Sequence, residues 1–93
     1  MTAKVTYTAD YYYNYKELLT ELPDLSEFVN DKILLFKRKF RDERLRDHKL
    51  TGKMHGLCAS SITDDIRIVY RWKGKNTVEF LAIGGHKKVY GKK

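Results

Sequence analysis

Two runs in the last third of the chain, 66–72 and 78–83, flank the tetrapeptide Lys73-Gly74-Lys75-Asn76. In the first, Ile66, Ile68, Tyr70 and Trp72 alternate with Arg67, Val69, Arg71 and Lys73. A period of two is that of a strand with one apolar face. The tetrapeptide reads as a hairpin turn. In the second run, Val78, Phe80 and Ala82 alternate with Glu79, Leu81 and Ile83, so both faces are largely apolar. Such a strand belongs in the middle of a sheet, with helices covering one side. Gly84-Gly85 ends it, and the chain closes on the short tail HKKVYGKK.

The rest of the chain supplies the cover. Lys4 to Thr8 is β-branched and aromatic and predicts a first strand. Asp10 then opens a helical pattern in which Tyr11, Tyr12, Tyr15, Leu18, Leu19 and Leu22 share a face. At that spacing the tyrosines read as core or half-buried rim, in preference to a base-stacking platform. Pro23 breaks the helix, and Asp24 with Glu27 three residues on resembles a capping box. A second helix carries Leu25, Val29, Ile33, Phe36 and Phe40 as its stripe, with Phe28 and Leu35 alongside. From Lys37 this helix turns basic (KRKFRDERLRDHK). The segment 47–52 reads as a loop with Gly52 as its turn residue, and 54–63 is weakly strand-like. The expected fold is a single α+β domain over residues 1–93. It has an N-terminal strand, a two-helix antiparallel hairpin and a three-stranded antiparallel meander, with the helices on one face of the sheet.

A chain of 93 residues has room for a modest core but not for a deep enclosed cavity, which favours an open groove for a large partner. The net charge of +7 is divided unevenly: residues 1–36 carry −3 and residues 37–93 carry +10. A patch of this kind attracts phosphate polymers or acidic proteins, the alternative being a charge that serves solubility. Cys58 is the only cysteine, which excludes an internal disulfide and suits a reducing cytoplasm. The sequence shows neither the apolar run of a signal peptide nor the ~20 apolar residues of a membrane span, so no membrane partner is expected.

The residues able to do chemistry are few. Arg67 and Arg71 fall on the strand face away from Ile66 and Ile68, where two guanidiniums could take phosphate oxygens or could simply be solvated. His86 follows the two glycines at the end of a central strand and titrates near neutral pH, as a proton donor or acceptor must. His48, His55, His86 and Cys58 have no paired metal-ligand spacing, and nothing flanks Cys58 to activate it. No metal and no cofactor is implied. The coherent chemistry is cleavage of RNA without a metal. RNA carries its own nucleophile, the 2′-hydroxyl. The protein adds a base, cations for the phosphorane and an acid for the leaving oxygen.

The segment DHKLTGKMHGLCASSITDDIRIVYRW, followed by VEFLAIGGHKKVY, resembles the RelE/ParE superfamily of bacterial toxins, and within it the RelE/YafQ-type mRNA interferases. The motifs DH-x-L-x-G, R-[IL]-V-Y and G-x-H-x-x-V-Y span residues 47–90. The resemblance implies a toxin of a toxin–antitoxin pair that enters the ribosomal 30S A site and cuts mRNA through the 2′-hydroxyl. By the same likeness, Arg67 stabilises the scissile phosphate and His86 is an acid–base residue. Tyr90 stacks on or protonates the substrate, while His48 and Asp65 complete the site as alternative general bases. Two departures are visible. Where RelE carries lysines, this chain has Ala59, Ser60 and Ser61, and a further histidine of YafQ-like members near Ser61 is absent. The expected partners are a cognate antitoxin, mRNA and the ribosome. Lys37, Arg38, Arg41, Arg44, Arg46, Lys49, Lys53, Arg71, Lys87 and Lys88 are expected to line the RNA. The ParE branch, which shares the fold but inhibits DNA gyrase, is the alternative.

Overall fold

A computed structural model describes residues 2–85 and Val89. The elements are β1 (Lys4–Tyr7), α1 (Ala9–Glu21), α2 (Leu25–Arg38), β2 (His48–Lys49), β3 (Cys58–Ser61), β4 (Arg67–Trp72) and β5 (Thr77–Gly84), with short 3₁₀ turns at Glu43–Leu45 and Gly52–Met54. One sheet holds all five strands in the order β1-β5-β4-β3-β2. The β3–β4–β5 portion is the antiparallel meander expected from the alternation, and β1 joins it in parallel beside β5. The doubly apolar β5 is thereby enclosed between β1 and β4. Among the described residues, no helix is long and apolar enough to cross a membrane.

Both helices lie on one face of the sheet, and aromatic rings fill the space between. Phe36 of α2 meets Tyr70 and Phe80 edge-on, with centroids 4.9 and 5.4 Å apart. Tyr11 of α1 reaches Phe80 at 5.6 Å, and Phe40 packs on Trp72 at 4.9 Å. Trp72 is thus a core-edge ring. Val29, Ile33 and Phe36 recur at helical spacing and are all buried, which is the stripe the sequence predicts. Burying each such side chain stabilises the fold by roughly 1.5–3 kcal/mol.

The helices depart from the sequence reading in several respects. Helix α1 starts at Ala9 because Thr8 caps it: the Thr8 Oγ1 accepts from the Tyr11 amide at 3.0 Å. Asp24 makes no side-chain cap, since the turn that opens α2 is already closed by the Leu25 amide on the Leu22 carbonyl. Phe28 is half exposed (49 %) and not alongside the buried stripe. Finally, α2 stops at Arg38, so the basic run is not a helical face. Asp42 takes the Arg44 backbone amide and its Nε, both at 2.9 Å, and that local bonding stabilises a turn in place of a further helical one.

Candidate active site

The face of the sheet opposite the helices carries the polar residues. Strand pairing sets them in rows. His48 lies beside Ala59, Ala59 beside Val69, and Val69 beside Ala82. In the next row Ser61 lies beside Arg67, and Arg67 beside Gly84. The segment expected to be a loop therefore contains β2, a two-residue edge strand that puts His48 on the same face as Arg67. Two strand spacings and one row separate them, roughly 12 Å between Cα atoms. The residues between are small, Ala59, Val69 and Ala82, with no side chain on Gly84, and Ala59 and Val69 are buried.

Arg67 is held by the β3–β4 turn. Its Nη1 donates to the Ser61 Oγ at 2.7 Å and to the Thr63 carbonyl at 3.2 Å. The turn is tight because the Ile62 and Thr63 amides both bond the Ile66 carbonyl, while the Thr63 hydroxyl accepts from the Asp65 and Ile66 amides. Among the described residues, both guanidinium bonds use Nη1, so Nε and Nη2 remain for a bound acceptor. A guanidinium held at one corner presents its other edge in a fixed orientation, which suits a phosphate. Ser61, a departure from the family pattern, is what positions it.

His48 is exposed, and its Nδ1 lies 2.9 Å from the Arg46 carbonyl. A carbonyl can only accept, so Nδ1 carries the proton and, in the neutral ring, Nε2 is left as an acceptor. Arg46 offers that carbonyl from a left-handed conformation (φ 48°) that ends the Glu43–Leu45 turn. Asp47, adjacent in sequence, points into the protein, where its carboxylate accepts a hydrogen bond from the Tyr70 hydroxyl. Burial raises the Asp47 pKa above the usual carboxylate range, partly opposed by that hydrogen bond. Burial also pushes the Tyr70 hydroxyl up, with the Asp47 bond adding to the effect. The pair ties the His48 segment to β4 from beneath. Neither Asp47 nor Tyr70 stands out in the sequence as a site residue; the DH dipeptide is the only hint of the first.

Asp65 is exposed in the same β3–β4 turn. Its Oδ2 is 3.3 Å from where a Cβ on Gly85 would stand, so the lack of a side chain at Gly85 is what admits the carboxylate to the end of β5. Asp65 therefore lies beside Gly85. His86, Lys87, Lys88 and Tyr90 lie outside the described residues. Val89 is buried, and its amide donates to the Gly85 carbonyl at 3.1 Å.

The cations differ among themselves. Arg71 shares the face of Arg67 but is bonded to Glu79, with Nε and Nη2 each 2.9 Å from Oε1. Four residues of strand also put it about 13 Å from Arg67. The two guanidiniums do not converge on one phosphate. Arg44 is clamped on Asp42 by two bonds of 2.9 and 3.0 Å. The guanidinium of Arg41 lies over the Phe40 ring, 5.4 Å from its centroid. Arg38, Arg46, Lys49 and Lys53 are exposed and Lys37 is half-buried, with Lys49 alternating to the face away from His48. Cys58 is buried, and burial raises its thiol pKa, so it is no nucleophile.

Comparison with known proteins agrees with this fold. The model of the family described as "Bacterial toxin of type II toxin-antitoxin system, YafQ" matches residues 3–91. No curated protein matches closely enough to count as a relative. Among solved structures, YafQ from E. coli strain BL21(DE3) is similar with a TM-score of 0.79 at 13% identity, covering 96% of this chain and 99% of that one. YafQ in the E. coli DinJ–YafQ toxin–antitoxin complex gives 0.77 at 16% identity, covering 98% and 100%. A YoeB/ParE toxin from Agrobacterium tumefaciens gives 0.73 at 26% identity, covering 89% and 98%. At the lower identities the likeness is one of fold, whereas the family model spans nearly the whole sequence. The chain belongs to the YafQ family of bacterial toxins of type II toxin–antitoxin systems.

Proposed function

We propose that this toxin is a metal-independent endoribonuclease that cuts mRNA in the 30S A site of the ribosome and so inhibits translation in the cytoplasm. The observation that carries the reading is the pairing of Arg67 and His48 on one sheet face. Each is fixed by a hydrogen bond, and among the described residues each has an edge with no partner. His48 Nε2 takes the proton of the 2′-hydroxyl as O2′ attacks phosphorus. Arg67 stabilises the charge that develops on the phosphorane oxygens. The bond from phosphorus to O5′ breaks, and O5′ takes a proton from an acid, the role the family likeness gives His86. The products are a 2′,3′-cyclic phosphate and a 5′-hydroxyl. Asp65, whose carboxylate lies beside Gly85 at the end of β5, is the alternative general base that the same likeness offers. Tyr90 stacks on the substrate, in keeping with the same likeness.

A similar toxin is crystallised with its antitoxin DinJ, and a cognate antitoxin is the proposed restraint on this one. Exposed cations at Arg38, Arg46, Lys49 and Lys53 provide the non-specific attraction to RNA. Mapping of cellular RNA 5′ ends after induction tests the reading. New cuts within open reading frames are expected, and they should vanish with Arg67→Ala and with His86→Ala while both variants stay folded. Growth arrest without new cuts, accompanied by DNA damage, would identify a gyrase inhibitor instead.

A further inference from the structure

Beside the β3–β4 turn, an open cleft of about 340 Å³ separates α2 from the segment that leads into β2. Phe28 and Lys32 form one wall, Arg44 and Arg46 another, and Ser61 and Thr63 the lip. The lip is the same pair that holds Arg67, through the Ser61 Oγ at 2.7 Å and the Thr63 carbonyl at 3.2 Å. The cleft therefore begins beside the Nη1 corner of the Arg67 guanidinium, which Ser61 and Thr63 hold.

Its chemistry is that of a polynucleotide track. Phe28 and Lys32 are four residues apart on α2 and so project together. Phe28 is 49 % exposed, an open aromatic face in an otherwise acidic N-terminal half. The Arg46 side chain is 65 % exposed and, among the described residues, makes a loose contact of 3.8 Å with the solvated Asp64. One aromatic plane flanked by cations is how proteins hold a single-stranded nucleotide: the base stacks, and the phosphate meets the positive charge. A cleft of this volume is at the lower end of the range for small-ligand sites, roughly 300–1,000 Å³, which fits one nucleotide.

We propose that this cleft is a subsite for the nucleotide adjoining the scissile one. Its base stacks on Phe28, and its phosphate is held by Lys32 and Arg46. The inference rests on the endoribonuclease reading above, since it places a second nucleotide of the same RNA strand. It makes Phe28 a binding residue for substrate, a role that leaves the core untouched because the ring faces solvent.

The test compares full-length wild type with Phe28→Leu, Phe28→Trp and Lys32→Gln, induced to equal levels. The fraction of a reporter mRNA cut at each position is read by 5′-end mapping, and thermal unfolding verifies the fold. Stacking predicts that Phe28→Leu, which keeps the apolar bulk and loses the plane, cuts about tenfold less, while Phe28→Trp stays within about twofold of wild type. Lys32→Gln should lower cutting by a few fold at all sites alike, as loss of a phosphate contact does. Equal cutting by Phe28→Leu and wild type overturns the subsite and leaves the endoribonuclease reading intact. Should the Phe28 variants fail to fold, Lys32→Gln decides, and cutting unchanged from wild type overturns the subsite. If wild type itself makes no cuts, both readings fall together.

Discussion

On the helix-covered face of the sheet, Val5, Tyr7, Ile68, Tyr70, Val78, Phe80 and Ile83 share one apolar core with Tyr11 and Phe36, whose rings meet Tyr7, Tyr70 and Phe80. On the opposite face of the same strands, Arg67 bonds to Ser61 and Thr63, Arg71 to Glu79, and His48 to a main-chain carbonyl. The first face is specified by bulk and by a period of two, broken once where the β4–β5 register shifts between Val69 and Tyr70 and brings Ile83 to the side of Val78 and Phe80. The second is specified by individual donors and acceptors, and a change of one atom can release a side chain. A substitution under the helices should therefore cost stability first, and one on the open face should cost activity first.

The largest expected effect breaks the covered face. Phe36→Ala removes the ring between Tyr70 and Phe80 and should cost about 3–5 kcal/mol of unfolding free energy, read by denaturant titration. Arg67→Ala makes the opposite case. Its melting temperature should stay near wild type, while mRNA cutting falls roughly 100- to 1,000-fold, the cost of losing one donor that stabilises a developing oxyanion.

Tyr70→Phe sharpens the comparison because Tyr70 belongs to the covered face but serves the other. It strands the Asp47 carboxylate and should cost about 1–3 kcal/mol, read by denaturant titration. Burial holds the Asp47 pKa above its unfolded value, so the stability this group contributes is full below the ordinary aspartate value of about 4 and is lost as pH rises through the folded value. Because the Tyr70 bond lowers the Asp47 pKa, Tyr70→Phe should extend that loss to higher pH. Asp47→Asn should abolish it, as melting curves across acid pH would show. The smallest effect is that of Arg71→Ala. Its exposed pair with Glu79 is worth about 0.2–1 kcal/mol, and cutting should fall far less than with Arg67→Ala.

The covered face was largely legible in the sequence, because burial imposes a period on Ile66–Trp72 and on Val29, Ile33 and Phe36. The end of α2 was not. Phe40 falls four residues after Phe36 and continues the apolar stripe although the chain has already turned. Two-residue β2 is too short to show alternation, so the motif pointed to His48 without placing it. Asp47 and Tyr70 are 23 residues apart, and no local pattern links them. Strand β1 was visible as a strand, but its parallel pairing with β5 joins segments more than 70 residues apart. The alternation singled out Arg67, and the resemblance gave it a role and added His48. Only the coordinates show that Ser61 and the Arg46 carbonyl fix their orientation.

The chemistry of the RNA ends after induction tests the central claim most directly. Ends made through the 2′-hydroxyl carry a 5′-hydroxyl and become ligatable only after phosphorylation. The account predicts such ends in cells making wild-type toxin and their loss with Arg67→Ala and with His48→Gln. New ends that carry a 5′-phosphate, or 5′-hydroxyl ends that persist undiminished in both variants, would contradict it.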